Sequence, residues 1–252
     1  MTDMDRAGAP ARVVALTSGK GGVGKTTLAL ALAAAWRREG LAVAVVDFDP
    51  QGGATLAAGV RPPADPLEAP PVAAHGFTLW PAGRGLAAAD ADALAVRLAR
   101  ARYMPAPGAL APDVVVVDCS PALTDALHAA ALPDADPVVV VARLDAAGLP
   151  NVAEAVALAR DLGRPVRVVP TFDARTGLAR EALAFLRGRY GDAVTAAVIP
   201  TDARAAEAPG RGAPVLDTAP RSKVAAAVRQ LAAELLATPR VRVPVEPVGA
   251  NP

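Results

Sequence analysis

Short, wholly apolar runs alternate along the chain with longer segments in which Ala and Leu recur at helical spacing. Val13–Thr17 is a β-branched run ending in Ser18-Gly19; a Gly-rich turn follows, and Thr26–Arg38 is rich in Ala and Leu. Residues 13–38 therefore read as strand, loop and helix. Gly40 stops the helix and Leu41–Asp47 is a second apolar strand, closing a βαβ unit within about 35 residues, the size expected of that motif. Right-handed crossover then makes the two strands parallel. Val114–Val117, Val138–Ala142, Val166–Val169 and Val194–Ile199 are further apolar runs, continuous as strands covered on both faces should be, and Phe77–Trp80 is a shorter one. Asp90–Tyr103, Asn151–Leu162, Leu178–Tyr190 and Ser222–Leu236 read as helices between or after them. The alternation predicts an α/β fold: a doubly wound, mostly parallel sheet with helices on both faces and ligands at the carboxyl ends of the strands. Val60–Pro71 reads as a surface loop and Pro105–Pro112 as a linker. One domain over residues 12–237 is expected, with a flexible leader at 1–11 and a poorly ordered Pro-rich tail at 238–252.

Composition narrows the function classes. The 252 residues are 53% hydrophobic but only 3% aromatic, which suits helices on strands better than an aromatic-anchored sandwich. A single cysteine, Cys119, and two histidines leave no Cys-based zinc or iron–sulfur site within one chain. Met1–Arg12 lacks the apolar stretch of a secretory signal, and the longest apolar run, Leu28–Trp36, is too short to span a membrane. A soluble, cytoplasmic protein is expected. Net charge is +1, yet residues 1–159 carry −4 and residues 160–252 carry +5, so a basic surface is expected on the C-terminal half. Only three lysines stand against 23 arginines. Two of them, Lys20 and Lys25, fall inside six residues, which points to a site needing a compact ammonium.

That site is Gly19-Lys20-Gly21-Gly22-Val23-Gly24-Lys25-Thr26-Thr27, which matches G-x-x-x-x-G-K-[ST] between strand and helix, the P-loop of nucleoside triphosphatases. The glycines let successive N–H groups point into one cavity, and the helix N-terminus adds partial positive charge. Lys25 is expected to reach the β- and γ-phosphates and the Thr26 hydroxyl to bind Mg²⁺. Asp47 and Asp49, two apart at the end of the second strand, are expected to point together toward the Mg²⁺ and γ-phosphate crevice. Asp118, after Val114–Val117, is the expected Walker B carboxylate. Cys119 beside it reads as a small apolar filler.

Lys20, the first lysine of the loop, goes beyond the general P-loop pattern. With it the sequence resembles the ParA/MinD/Soj family of deviant Walker A ATPases, whose motif is K-G-G-x-G-K-[ST]; the fit is complete over Lys20–Thr26. Asp47-Phe48-Asp49-Pro50-Gln51-Gly52-Gly53-Ala54-Thr55 is similar to the family's D-x-D-P-Q-x-x-A-T. Pro170–Thr176 resembles T-x-x-D-x-R-T, and Ile199–Pro209 resembles I-P-R-N-x-R-L-x-E-A-P. The resemblance implies that Lys20 reaches across a dimer to the partner's nucleotide, that Asp49 positions the attacking water, and that Asp47 supports the magnesium shell. It makes Thr171, Pro200 and Asp202 candidates for the adenine pocket, and Arg175 and Arg204 candidates for DNA contact. Thr201 stands where the family often has an arginine, and Ser120 and Ala122 depart from its usual double proline.

The family's short, Soj-like branch fits best, because the prolines after residue 238 forbid a terminal amphipathic helix of the MinD kind. It implies an ATP- and Mg²⁺-dependent ATPase for chromosome or plasmid segregation. The protein would dimerise on ATP, bind double-stranded DNA without sequence preference, associate with the nucleoid, and be stimulated by a ParB-like centromere-binding partner, with no membrane attachment. An ATPase of the same kind positioning another cargo on the nucleoid is the alternative. A nitrogenase-type iron protein needs two cysteines per subunit, and this chain has one.

Overall fold

The computed structural model describes residues 10–122, 126–145, 148–172, 174 and 176–240. Arg175, and most of the expected leader and tail, lie outside the described residues.

Seven strands form one sheet in the order β3-β4-β2-β5-β1-β6-β7: β1 Arg12–Thr17, β2 Val43–Phe48, β3 Val72–Ala74, β4 Phe77–Trp80, β5 Val114–Cys119, β6 Val138–Arg143 and β7 Val166–Thr171. All pairings are parallel except β3 with β4. The helices are α1 Lys25–Arg38, α2 Gly53–Ala57, α3 Ala91–Tyr103, α4 Ala126–Ala131, α5 Leu149–Asp161, α6 Gly177–Tyr190, α7 Ala203–Glu207, α8 Val215–Thr218 and α9 Lys223–Ala237. The expected mostly parallel, doubly wound sheet is the fold observed.

Alternation along each strand divides the core in two. Val14, Leu16, Val43, Val45, Val114 and Val116 face α1 and α9, whereas Val13, Ala15, Ala44, Val46, Val115 and Val117 face α3, α4 and α5. Both faces are covered, which is why the strands read as continuous apolar runs. Arg12, at the start of β1, donates to the carbonyls of Leu235 (2.8 Å), Leu236 (2.5 Å) and Thr238, closing the C-terminal end of α9.

One expected strand is absent. Val194–Ile199 forms no ladder with β7: it touches that strand at the Val168–Val194 bridge and through the amides of Thr195 and Ile199, which donate to the Val168 and Pro170 carbonyls at 3.0 and 2.9 Å. The amides of Ala196 and Ala197 donate instead to the Glu234 carboxylate of α9, both at 2.9 Å, so a side chain satisfies groups that a ladder would otherwise engage. The short elements α2, β3, α4, α7 and α8 carry too few residues to show a period in sequence.

Candidate functional site

The residues singled out in sequence converge at the carboxyl end of the central strands. β1 ends at Thr17 and the chain enters α1 through Gly24, whose φ of 88° caps the helix in the left-handed region that favours glycine. No acidic residue lies in the first turn of α1 and no side chain caps it, so its N-terminal amides and positive dipole end remain for an anion. Thr17 shares a hydrogen bond of 2.8 Å with the buried His128 of α4, a contact that carries no sequence signature.

Lys20, Gly21, Gly22, Val23, Gly24, Lys25, Thr26, Thr27 and Asp49 line a cleft of about 220 Å³, joined by Pro121; Gly19, at the mouth of the loop, is not among the lining residues. Lys25 Nζ lies 3.1 Å from Asp118 Oδ1, and Thr26 Oγ1 donates to Asp118 Oδ2 at 2.6 Å. Burial disfavours the Lys25 ammonium, but the charge of Asp118, supported by Cys119 and Asp49, more than offsets it, and the net shift is upward. The set of ammonium, hydroxyl and carboxylate oxygens fits a magnesium nucleotide: Thr26 and Asp118 offer hard oxygens for the ion, and Lys25 a compact charge for phosphate.

Asp47 departs from expectation. Asp49 lines the cleft, whereas Asp47 is fully buried, opposite Asp118 in the β2–β5 register. Its Oδ1 accepts from the Asp49 amide at 3.0 Å; its Oδ2 accepts from the Thr55 amide at 2.8 Å and the Thr55 hydroxyl at 2.7 Å. The strand ends at Phe48 and the chain turns, so the two-residue alternation no longer holds both carboxylates on one side. Burial and the Asp118 charge push the Asp47 carboxyl up to about 7, against the hydrogen bonds from Thr55 and Asp49. Its observed contacts make it a strut that fixes the Asp49 backbone and the start of α2.

Beside the cleft is an apolar pocket of about 280 Å³ that brings Thr171, Pro200 and Asp202 together with Gly24, Thr27 and Leu28. Thr171 is buried and donates to the Val23 carbonyl at 3.0 Å, bracing the P-loop. Asp202 accepts from the Arg204 amide at 2.9 Å as the cap of α7. Sequence reasoning missed Phe172, which also lines the pocket and carries the Arg143 guanidinium over its ring at 4.5 Å. Arg143 in turn donates to the Gly22 carbonyl at 3.3 Å. No pattern in the sequence pairs these residues.

On the C-terminal half an open cleft of about 590 Å³ runs between α7 and the start of α9 and is lined by Arg204, Arg211 and Arg221. Only Arg204 was anticipated. Arg211 pairs with Glu207 at 2.9 Å, while Arg204 stands 3.8 Å from Asp202 with a mostly exposed side chain.

A helix that opens on a glycine turn at the carboxyl end of a parallel sheet, with lysine, threonine and aspartate converging at its first turn, defines a P-loop nucleotide-binding protein. Residues 14–215 match the CobQ/CobB/MinD/ParA nucleotide binding domain, and the chain belongs to that family. It is 36% identical over 245 residues to the chromosome-partitioning ATPase Soj of Thermus thermophilus, spanning 91% of this chain and 97% of that one. It is 34% identical over 234 residues to the chromosome partitioning protein ParA of Caulobacter vibrioides, spanning 82% and 87%. Among solved structures it is similar to cobyrinic acid a,c-diamide synthase of Mycobacterium smegmatis with bound ADP and magnesium, at 30% identity and a TM-score of 0.72 over 90% of this chain and 94% of that one. Among the described residues no helix is long and apolar enough to cross a membrane.

Proposed function

We propose that this chain is a ParA-type ATPase that binds ATP with Mg²⁺ and acts in the partitioning of DNA. The observation that carries the reading is the convergence of Lys25, Thr26 and Asp49 around one phosphate-sized cleft, next to an apolar pocket that suits a purine. Lys25 and the loop amides bind the phosphates and orient them; Thr26 and Asp118 would hold a magnesium ion, which would supply charge neutralisation for the phosphates. Asp49 orients the attacking water. Lys20 completes the site of a second copy, so ATP closes a dimer.

The arginine cleft is the DNA surface in this reading. Guanidiniums on one open face contact phosphates and read no bases, so binding is independent of sequence and falls steeply with salt. Two copies joined by ATP present two such surfaces, and avidity makes binding ATP-dependent. A ParB-like partner accelerates hydrolysis and ends the bound state. Similarity to Soj and ParA over most of the chain supports this reading.

The test is ATP turnover, sizing and gel shifts on duplexes of unrelated sequence, each with and without ATP and Mg²⁺. Turnover, a dimer in ATP, and ATP-dependent shifts lost in Arg204→Glu with Arg221→Glu are expected. Binding that ignores ATP, or that survives both charge reversals, would remove the DNA assignment; absence of turnover with and without a ParB-like partner would remove the ATPase.

A further inference from the structure

The hairpin between β3 and β4 turns at His75 and Gly76, with φ of 48° and 74°. Two positive φ values in a two-residue loop make a type I′ turn, in which Asn or Gly is the favoured first residue. The imidazole found there instead reaches two loops remote from each other in sequence. His75 Nε2 lies 3.1 Å from the Ala58 carbonyl and 2.8 Å from the Gly212 carbonyl. Two carbonyl acceptors require that this nitrogen carry the proton.

One of those loops leaves the nucleotide site. α2 begins at Gly53, where a Cβ would stand 3.4 Å from Thr26 Oγ1, carries Thr55 with its two bonds to Asp47, and ends one residue before Ala58–Gly59. The other loop belongs to the arginine cleft, since Gly212 follows Arg211 directly. Their backbones touch: a Cβ at Gly212, itself at φ 61°, would meet Gly59 Cα at 3.0 Å. Gly76 packs on Arg37 of α1, and Arg37 bonds Asp217 of α8 at 2.7 Å, so the same turn bears on the far side of the cleft loop as well. A five-residue helix is only about 7.5 Å long. Packed against Thr26 at one end, bonded to Asp47 through Thr55, and touching the cleft loop at the other end, it is short enough to act as a rigid unit.

We infer that His75 is a positioning residue that couples the nucleotide site to the arginine cleft through the Ala58–His75–Gly212 junction. The inference rests on the reading of the cleft as the DNA surface. Nucleotide-dependent displacement of α2 is passed to Gly212 and Arg211 because the imidazole ties both carbonyls to one hairpin.

The full chain is compared with His75→Leu, which removes the donor; His75→Gln, which keeps an N–H; and Gly212→Ala, which opens the same junction from the other side. Two readouts are taken with and without ATP: duplex DNA affinity, and hydrogen exchange of residues 209–218. The ATP-induced gain in DNA affinity should fall about tenfold in His75→Leu and Gly212→Ala and return largely in His75→Gln, with KM and basal turnover within about twofold of wild type, as expected for a coupling energy rather than a lost site. The exchange response should be lost in the same two variants. If His75→Leu does not fold, Gly212→Ala and the behaviour of His75→Gln decide. Unchanged ATP dependence of both readouts in Gly212→Ala and in the folded His75 variants overturns the coupling while leaving the DNA reading intact. A wild type that never binds DNA overturns that reading instead, and the exchange response still decides the coupling.

Discussion

Removing Lys25 separates two consequences of one ion pair. Its ammonium lies 3.1 Å from Asp118, with the side chains 7% and 0% exposed. Lys25→Met keeps the stem and deletes the charge, leaving Asp118 buried without its cation beside Asp47, another carboxylate in register with it. Breaking a buried pair from one side costs about 3–5 kcal/mol, a large part of the roughly 5–15 kcal/mol that holds a domain folded. The double variant Lys25→Met with Asp118→Asn buries no uncompensated charge and should recover most of that loss. Urea unfolding without nucleotide measures both. Magnesium-ATP titration by calorimetry measures the second consequence: a charge-assisted bond of about 1.5–3 kcal/mol corresponds to a Kd weakened roughly 10- to 150-fold, and the double variant should not restore it. A single variant as stable as wild type, or a double variant no more stable than the single, would refute the claim that the pair neutralises Asp118. Wild-type ATP affinity in either variant would refute the role of Lys25.

Asp49→Ala should leave ATP affinity nearly unchanged while slowing hydrolysis, because a water-positioning group acts in the transition state; sizing in ATP should then show accumulated dimer. Because the Asp47 carboxyl is raised to about 7 in the folded protein, the native state binds more protons than the unfolded chain above the usual carboxylate range. That contribution is fully present at low pH and is lost as pH rises through about 7. Nucleotide-free wild type should therefore lose urea stability between about pH 5 and about pH 7.5 more steeply than Asp47→Asn. Glu234→Ala removes both acceptors of the Ala196 and Ala197 amides and should cost about 2 kcal/mol. By loosening the segment that leads to Ile199 and Pro200 it should also weaken nucleotide binding several-fold, read in the same unfolding and calorimetric assays.

The sequence by itself determined the layer architecture and the phosphate cradle, because both are written in contiguous residues. Apolar runs on β1, β2, β5, β6 and β7 identify strands buried on both faces, and the span Gly19–Thr27 holds the loop, Lys20, Lys25 and the Thr26 hydroxyl within nine neighbours. Asp118 was legible because a strand delivers it to the same end of the sheet. What depends on contacts between distant segments was decided only by the tertiary structure. The spacing of Asp47 and Asp49 promised two carboxylates in one crevice; the turn after Phe48 and the reach of Thr55 buried one and left the other at the cleft. The apolar run Val194–Ile199 promised a strand, but the carboxylate of Glu234, 37 residues further on than Ala197, took two of its amides. Arg211 and Arg221 join Arg204, and Phe172 meets Arg143, only because loops after different strands pack together. Hydrophobic periodicity reports how each segment meets the core; it is blind to polar partners brought close by folding, and those partners set the finer geometry of this site.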